Sequence, residues 1–341
     1  IRALAWPSYA VAVVLLVVLL LAPASIAPRT NGAKAWLWIG GFNFQPAEIA
    51  KVAFVLASAA YLRCRSEHRE FFGLIVPGLI AAVPVGLITL QPDLGSASLF
   101  GPALFAVLIA AGAKLRHLAL IVACCVLVAP ATYPFLAPHQ KSRIEGMMML
   151  RAGDTSASDG VNFQPETAQR LIGAGGAFGV GRESARTLVR YNRLPEAHND
   201  MVFSVIVLRF GLLGACGLLV LYGVWLFGAV ATAALSADPF GRLCCVGLAA
   251  FVAAQVVVNI GMNLGLLPII GITLPFVSAG GSSLLTVWGM TGLIISVGIH
   301  PSALKRGAGK GFEFDEAPTP TDPVDLLESM RRATNARGAT R

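Results

Sequence analysis

This chain has little charge. Only 13% of its 341 residues are Asp, Glu, Lys or Arg, against about a quarter in a typical soluble domain. So little charge cannot clothe a water-facing surface. Apolar runs take its place: 56% of residues are hydrophobic and the mean hydropathy is +0.72. The chain therefore reads as an all-α polytopic membrane protein. Metal-ligand spacing is missing too. Cys64, Cys124, Cys125, Cys216, Cys244 and Cys245 form neither a zinc pattern nor a disulfide framework. Most sit in or beside apolar runs and are expected to behave as small buried hydrophobes. No basic stripe is interleaved with aromatics, which argues against nucleic acid as a partner. The net charge of +8 reads instead as orientation signal and affinity for anionic lipid. Nor does a small-residue cleavage site follow a short apolar core near Ile1, so no cleavable signal peptide is expected. A chain opening on Ile is expected to lack its natural N-terminus.

What is there in quantity is apolar sequence. A bilayer core of about 30 Å needs about 20 apolar residues per helix. Eight segments qualify: 5–27, 46–63, 71–90, 95–113, 116–137, 200–229, 240–262 and 281–299. Basic residues mark alternate breaks (Arg63, Arg65 and Arg69, then Lys114 and Arg116, then Arg242). By the positive-inside rule those breaks and both chain ends face the cytoplasm. The long loop 138–199 then faces outside. Its apolar stretch Ala168–Val180 and glycine cluster suggest short helices on the outer membrane face. The segment 301–341, rich in Pro, Thr and charge, is expected to be a disordered cytoplasmic tail.

Ionisable groups at membrane depth are costly and point to function. Glu48 and Lys51 stand three apart in Gln45-Pro46-Ala47-Glu48-Ile49-Ala50-Lys51, on one helical face where they can pair. Such a pair either locks helices together or lines a cavity. Asp93, in Gln91-Pro92-Asp93-Leu94-Gly95, either caps the next helix or touches a ligand. Leu194-Pro195-Glu196-Ala197-His198-Asn199-Asp200 closes the long loop. Asp200 could be an N-cap, yet Glu196, His198 and Asp200 are more titratable groups than a cap requires. Ser278, Gly280, Gly281, Ser282 and Ser283 offer hydroxyls and backbone N–H groups to an anion at a helix start. Arg209, well inside the sixth span, must find a partner, snorkel or face water.

At these residues the chain resembles the shape, elongation, division and sporulation (SEDS) family, the RodA and FtsW proteins of bacterial cell-wall synthesis. The resemblance rests on ordered blocks. They are Asn31-Gly32-Ala33-Lys34 with Trp36, QPAEIAK at 45–51, QPDLGSA at 91–97, NFQPETAQRLIGAGGAFGVG at 162–181, LPEAHND at 194–200 and NIGMNLGLLPIIGITLPFVSAGGSS at 259–283. It covers nearly all of 1–299 and implies an all-helical fold of the GT-C kind. The family usually has ten spans, and the eight here match the last eight. The chain departs from the family at Ala35, Asn199 and Ala279. Two usual glutamates are replaced by Leu208 and Arg209, a change expected to alter a cavity that binds pyrophosphate or metal.

The resemblance implies glycosyl transfer: polymerisation of lipid II, a lipid-linked disaccharide-pentapeptide, into glycan strands. It places the essential carboxylate on Asp200, the paired Glu and Lys on Glu48 and Lys51, and further motif positions on Asp93, Ser278 and Gly280–Ser283. Asp200 would act as general base on the acceptor hydroxyl with inversion at the anomeric carbon. Lys51, Arg143, Arg193 and the Gly280–Ser283 backbone are candidates to stabilise the pyrophosphate leaving group. Glu196 and His198 complete the candidate substrate contacts. A divalent cation, Mg or Mn, could assist. The implied partner is a class B penicillin-binding protein, a transpeptidase, within the elongation or division machinery. A lipid II flippase and a non-catalytic scaffold for the transpeptidase are the alternatives.

Overall fold

The computed structural model describes residues 2–30, 32–39, 42–63, 70–152, 160 and 162–299. The expected tail 301–341 lies outside the described residues, as do Asn31, Cys64, Arg65 and Arg69.

All eight apolar segments are helical. They are α1 (Ala5–Leu21), α2 (Pro46–Leu62), α3 (Ile75–Leu90), the pair α4 (Leu94–Ser98) and α5 (Phe100–Ala110), α6 (Leu115–Thr132), α10 (Val202–Leu235), α11 (Pro239–Asn263) and α12 (Gly281–Ile299). Among the described residues, five helices are long and apolar enough to cross a membrane: 2–21, 72–90 and those of α10, α11 and α12. The segments of α2, α4–α5 and α6 are shorter. The long loop forms α7 (Pro138–Ala152), α8 (Phe163–Gly175) and α9 (Arg182–Tyr191). A short hairpin, β1 (Leu37–Ile39) against β2 (Phe42–Phe44), pairs antiparallel with Leu37 opposite Phe44.

Local sequence sets the helix starts. Pro46 opens α2 behind an extended Gln45, because proline's fixed φ suits the first helical position. The Asp93 carboxylate accepts from the Ser96 N–H at 3.0 Å and caps α4, and Asp238 caps α11 in the same way ahead of Pro239. Lys34 reaches the other kind of terminus: its ammonium donates to the Leu20 and Ala22 carbonyls at the end of α1.

The most enclosed helices are α2 and α11. Phe251 on α11, Phe54 on α2 and Phe100 on α5 meet edge to face, with centroids 5.3 to 6.1 Å apart. A Cβ at Gly247 would stand 2.7 Å from Val55 and 2.8 Å from Val107, so that glycine sets how closely α11 approaches its neighbours. The outward faces of α1, α3 and α10 are apolar: Val14, Leu79 and Phe227 are all exposed. That surface suits lipid.

Three sequence expectations change. The first span stops at Leu21, where the backbone leaves the helix at Ala22 ahead of Pro23. The fourth breaks into α4 and α5 at Leu99. Among the described cysteines, Cys244 and Cys245 are buried, whereas Cys124, Cys125 and Cys216 are exposed, because an apolar residue on a span can face the bilayer as well as the core.

The largest difference is in α10. Helical geometry is interrupted at Gly211, with φ 69°. The broken turn frees backbone groups that must find partners at membrane depth. Residues 176–181 supply them. Val180 and Gly181 donate to the Leu208 and Arg209 carbonyls, and Leu212 and Leu213 donate to those of Gly176 and Ala177. A Cβ at Gly211 would stand 2.3 Å from the Ala177 oxygen, and one at Gly179 would stand 2.3 Å from that of Arg209. Only glycine lets the two backbones lie this close.

Candidate active site

Asp200 sits immediately before α10, and its backbone is held from α11. Asn259 and Asn263, one helical turn apart, each donate from Nδ2 to the Asp200 carbonyl at 2.9 Å. Asn259 also donates to the Ile272 carbonyl at 2.7 Å. Asn263 Oδ1 accepts from the Ser204 N–H at 3.1 Å, so this side chain caps α10. Both asparagines are fully buried. Ser278 adds a third tie: its hydroxyl donates to the Asn199 carbonyl and accepts from the Leu274 N–H, both at 2.7 Å. The Ala279 N–H reaches the His198 carbonyl at 2.9 Å. Thus 198–200 is stitched to α11 and to the 272–279 loop.

Among the described residues, the carboxylate itself makes no such bond. A Cβ on Gly271 would lie 3.4 Å from Asp200 Oδ2, so the carboxylate faces a bare stretch of backbone. Burial, then the nearby Glu196 charge, push the Asp200 carboxyl up to about 6, with Arg143 opposing and Asp93 adding. A carboxylate at that value is poised to exchange protons near neutrality. Arg143, on α7, is itself pushed down by burial while Asp200 and Asp93 hold it up. Arg209 is not among the charges that shift the Asp200 carboxyl. Leu208 is fully buried against the packing of Ala168, Leu171 and Met201. Arg209 stacks over the Phe210 ring at 4.6 Å.

Gln45 joins the other motifs. Its side chain donates to Asp93 Oδ2 and to the Ser96 hydroxyl, both at 3.3 Å, and its backbone N–H donates to the Ser282 hydroxyl at 3.2 Å. Asp93 is therefore both helix cap and acceptor. Ser283 pairs with Thr273 at 2.8 Å. The hydroxyls of Ser278, Ser282 and Ser283 are thus engaged within the protein, and Ala279 and Gly281, at the start of α12, are what this segment exposes. Glu48 and Lys51 form a 2.7 Å ion pair whose side chains are 5% and 1% exposed. In this conformation Lys51 is sealed from any ligand. The second Glu48 oxygen has no hydrogen-bond partner among the described residues.

Arg193, Glu196 and His198 lie apart from that inner cluster. All three are exposed and line an open cavity of about 490 Å³ with Arg190 and Asn199. Asn199 donates to Glu196 Oε2 at 2.7 Å. Among the described residues, no group of three or more His, Cys, Asp or Glu side chains converges as a metal site. Sequence reasoning missed Asn259, Asn263 and Gln45. The one available signal was two asparagines spaced i, i+4 inside an otherwise apolar span.

The fold and site define a polytopic helical membrane protein that holds one raised-pKa carboxylate at a span terminus. Residues 1–302 match the FTSW_RODA_SPOVE family, described as cell cycle proteins, and the chain belongs to that family. It is 35% identical over 297 residues to a probable peptidoglycan glycosyltransferase FtsW from Thioalkalivibrio sulfidiphilus, covering 86% of this chain and 72% of that protein. It is 33% identical over 312 residues to the Mycobacterium tuberculosis protein of the same name, spanning 90% of this chain but only 58% of the mycobacterial one. A solved peptidoglycan synthase complex, described as coordinating polymerization and crosslinking, contains a chain superposing with TM-score 0.72 at 33% identity, over 88% of this chain and 81% of that one. The Thermus thermophilus rod shape determining protein RodA superposes with TM-score 0.62 at 30% identity, over 88% and 79%.

Proposed function

We propose that this chain is a peptidoglycan glycosyltransferase that polymerises lipid II in the bacterial cytoplasmic membrane, for elongation or division. The observation that carries the reading is the Asp200 carboxylate, raised to about 6 and held in place through its own backbone by Asn259 and Asn263. Asp200 takes the proton of the acceptor sugar hydroxyl as its oxygen attacks the anomeric carbon of the lipid-linked donor. The bond from that carbon to the pyrophosphate breaks with inversion. Arg143 is the cation best placed to meet the departing negative charge, since it lies within electrostatic reach of Asp200 and Asp93. The Gly281 backbone at the α12 start adds N–H groups. Lys51 has a different task here, locking α2 internally through Glu48.

In this reading α7, α8 and α9 lie on the outer face and both chain ends are cytoplasmic, as the basic breaks direct. The family names of the relatives and the synthase complex support a class B penicillin-binding protein as the partner that crosslinks the product. The test is glycan-strand synthesis from labelled lipid II by the full-length protein with its cognate transpeptidase, against Asp200→Asn. Polymer from the parent and none from the variant is the expected result. Undiminished polymer from Asp200→Asn would overturn the assignment.

A further inference from the structure

The open cavity of about 490 Å³ at the end of α9 takes no part in the proton transfer at Asp200. Its volume falls in the range of small-ligand pockets, about 300–1,000 Å³. Backbone bonds fix its walls. Where α9 ends, the Arg193 N–H donates to the Arg190 carbonyl at 3.2 Å and the Leu194 N–H to that of Val189 at 3.3 Å. The Glu196 carbonyl then accepts from the Asn199 and Met201 N–H groups at 3.0 and 3.1 Å. Arg193 and Glu196 hold left-handed backbone, with φ 47° and 50°. Residues with a Cβ rarely adopt that conformation, and where they do it clusters at functional sites. Leu194 and Ala197 are buried beside them and pack with Leu171, Ala185 and Met201, which anchors both turns.

Two cations in this cavity are uncommitted. Arg190 and Arg193 are exposed, and neither guanidinium makes an ion pair among the described residues. Other arginines of the loop 138–199 do: Arg170 pairs with Glu166 at 3.3 Å and Arg186 with Glu183 at 3.8 Å. Glu196, the acid among the lining residues, already accepts from Asn199 at 2.7 Å. The rest of the wall is apolar, from Val189, Leu194 and Ala197. A bare phosphate would meet the cations and leave that wall unused. A peptide with free carboxylates uses both. Guanidinium forks match carboxylates in geometry, and aliphatic side chains cover the apolar wall. The cavity also borders the base. Asn199, the residue before Asp200, lines it, and the Glu196 charge reaches the Asp200 carboxyl. Five extended residues span about 17 Å, so a pentapeptide on a sugar held at Asp200 is long enough to enter.

We infer that this cavity is a subsite for the peptide of the lipid-linked substrate, with Arg190 and Arg193 as the residues that recognise its carboxylates. The inference rests on the polymerase reading for the identity of that substrate. The subsite selects precursors that carry an intact peptide and keeps the peptide clear of the Asp200 carboxylate.

The experiment uses the full chain reconstituted in nanodiscs and three probes: lipid II, an analogue whose peptide carboxylates are amidated, and a peptide-free analogue that keeps the disaccharide and pyrophosphate. Binding is measured directly, and polymer formation separately. The parent is expected to bind lipid II about tenfold more tightly than either analogue, as two solvent-screened charge pairs allow, and high salt should shrink that preference. The double variant Arg190→Gln with Arg193→Gln should bind all three probes alike. Arg190→Lys with Arg193→Lys, which keeps the charge, should restore much of the preference. Each arginine changed alone should lose part of it, which covers the case in which the double variant does not fold. Equal binding of all three probes by the parent would overturn the subsite. So would a glutamine double variant that keeps the preference. A double variant that weakens the peptide-free analogue as much as lipid II would assign the cations to the pyrophosphate and overturn it too. Selective binding without any polymer would uphold the subsite and sink the polymerase reading; polymer without selectivity would do the reverse.

Discussion

Asn259 and Asp200 are joined by one hydrogen bond, from Nδ2 of the first to the backbone carbonyl of the second at 2.9 Å. The same Nδ2 donates to Ile272, so one buried amide fixes the position of the carboxylate-bearing residue and of the loop opposite it. Asn259→Ala strands the Ile272 carbonyl and leaves that of Asp200 to Asn263 alone. We expect kcat to fall about 10- to 100-fold from misplacement of the base, with KM little changed, and stability to fall by about 1–3 kcal/mol. Steady-state polymerisation and thermal melts check this together.

Two charges pull the Asp200 carboxyl in opposite directions. Glu196 raises it and Arg143 lowers it. The base works only when ionised, so activity should climb as pH rises through about 6. Glu196→Gln should move that acid limb to lower pH, and Arg143→Ala should move it to higher pH. A pH–rate profile of all three proteins decides, and shifts of the same sign in both variants would refute the charge assignment.

The same group costs stability. Its folded value of about 6 lies above the ordinary 3.8, so the native state binds this proton more tightly than the unfolded chain does. Relative stability is lost as pH rises from about 4 to 6 and stays lost above. Asp200→Asn removes the ionisation and should melt later than the parent at pH 8, by on the order of 2 kcal/mol, with a smaller gain at pH 4. Melting curves at the two pH values test the sign.

Much of this architecture was legible in the sequence. The apolar runs located all five described helices long enough to cross a membrane, and short helices within 138–199 followed from an apolar stretch punctuated by glycine. LPEAHND marked the carboxylate. The break at Gly211 was not legible, because hydropathy runs unchanged across it and glycine is common inside membrane helices. The asparagine pair was also hidden. Its partner at Asp200 lies about 60 residues away in the chain, and only packing brings them together. The serines of 278–283 read as an anion cradle because free hydroxyls and bonded ones look alike in sequence.

Glu48 and Lys51 are buried and paired at 2.7 Å. Lys51→Met should cost about 3–5 kcal/mol by leaving a buried unpaired carboxylate, and Glu48→Gln with Lys51→Met should recover most of it. Thermal melts separate the cases. A Lys51→Met protein that melts normally yet fails to make polymer would show that Lys51 meets the substrate after all.

Gly211→Ala would place a Cβ 2.3 Å from the Ala177 oxygen at φ 69°. We expect a loss of at least about 2 kcal/mol and a protein that resists purification intact. Gly217→Ala, one and a half turns on and open on all sides, is the control and should be neutral.

The four hydrogen bonds between 176–181 and 208–213 also decide what can be exchanged between relatives. A graft of the 138–199 loop alone, cut at Asp200, would hand α10 a foreign strand of backbone at the point where its helix is open. The heritable module is longer than the loop: it runs from the start of α7 past Leu213, and a chimera should be spliced there.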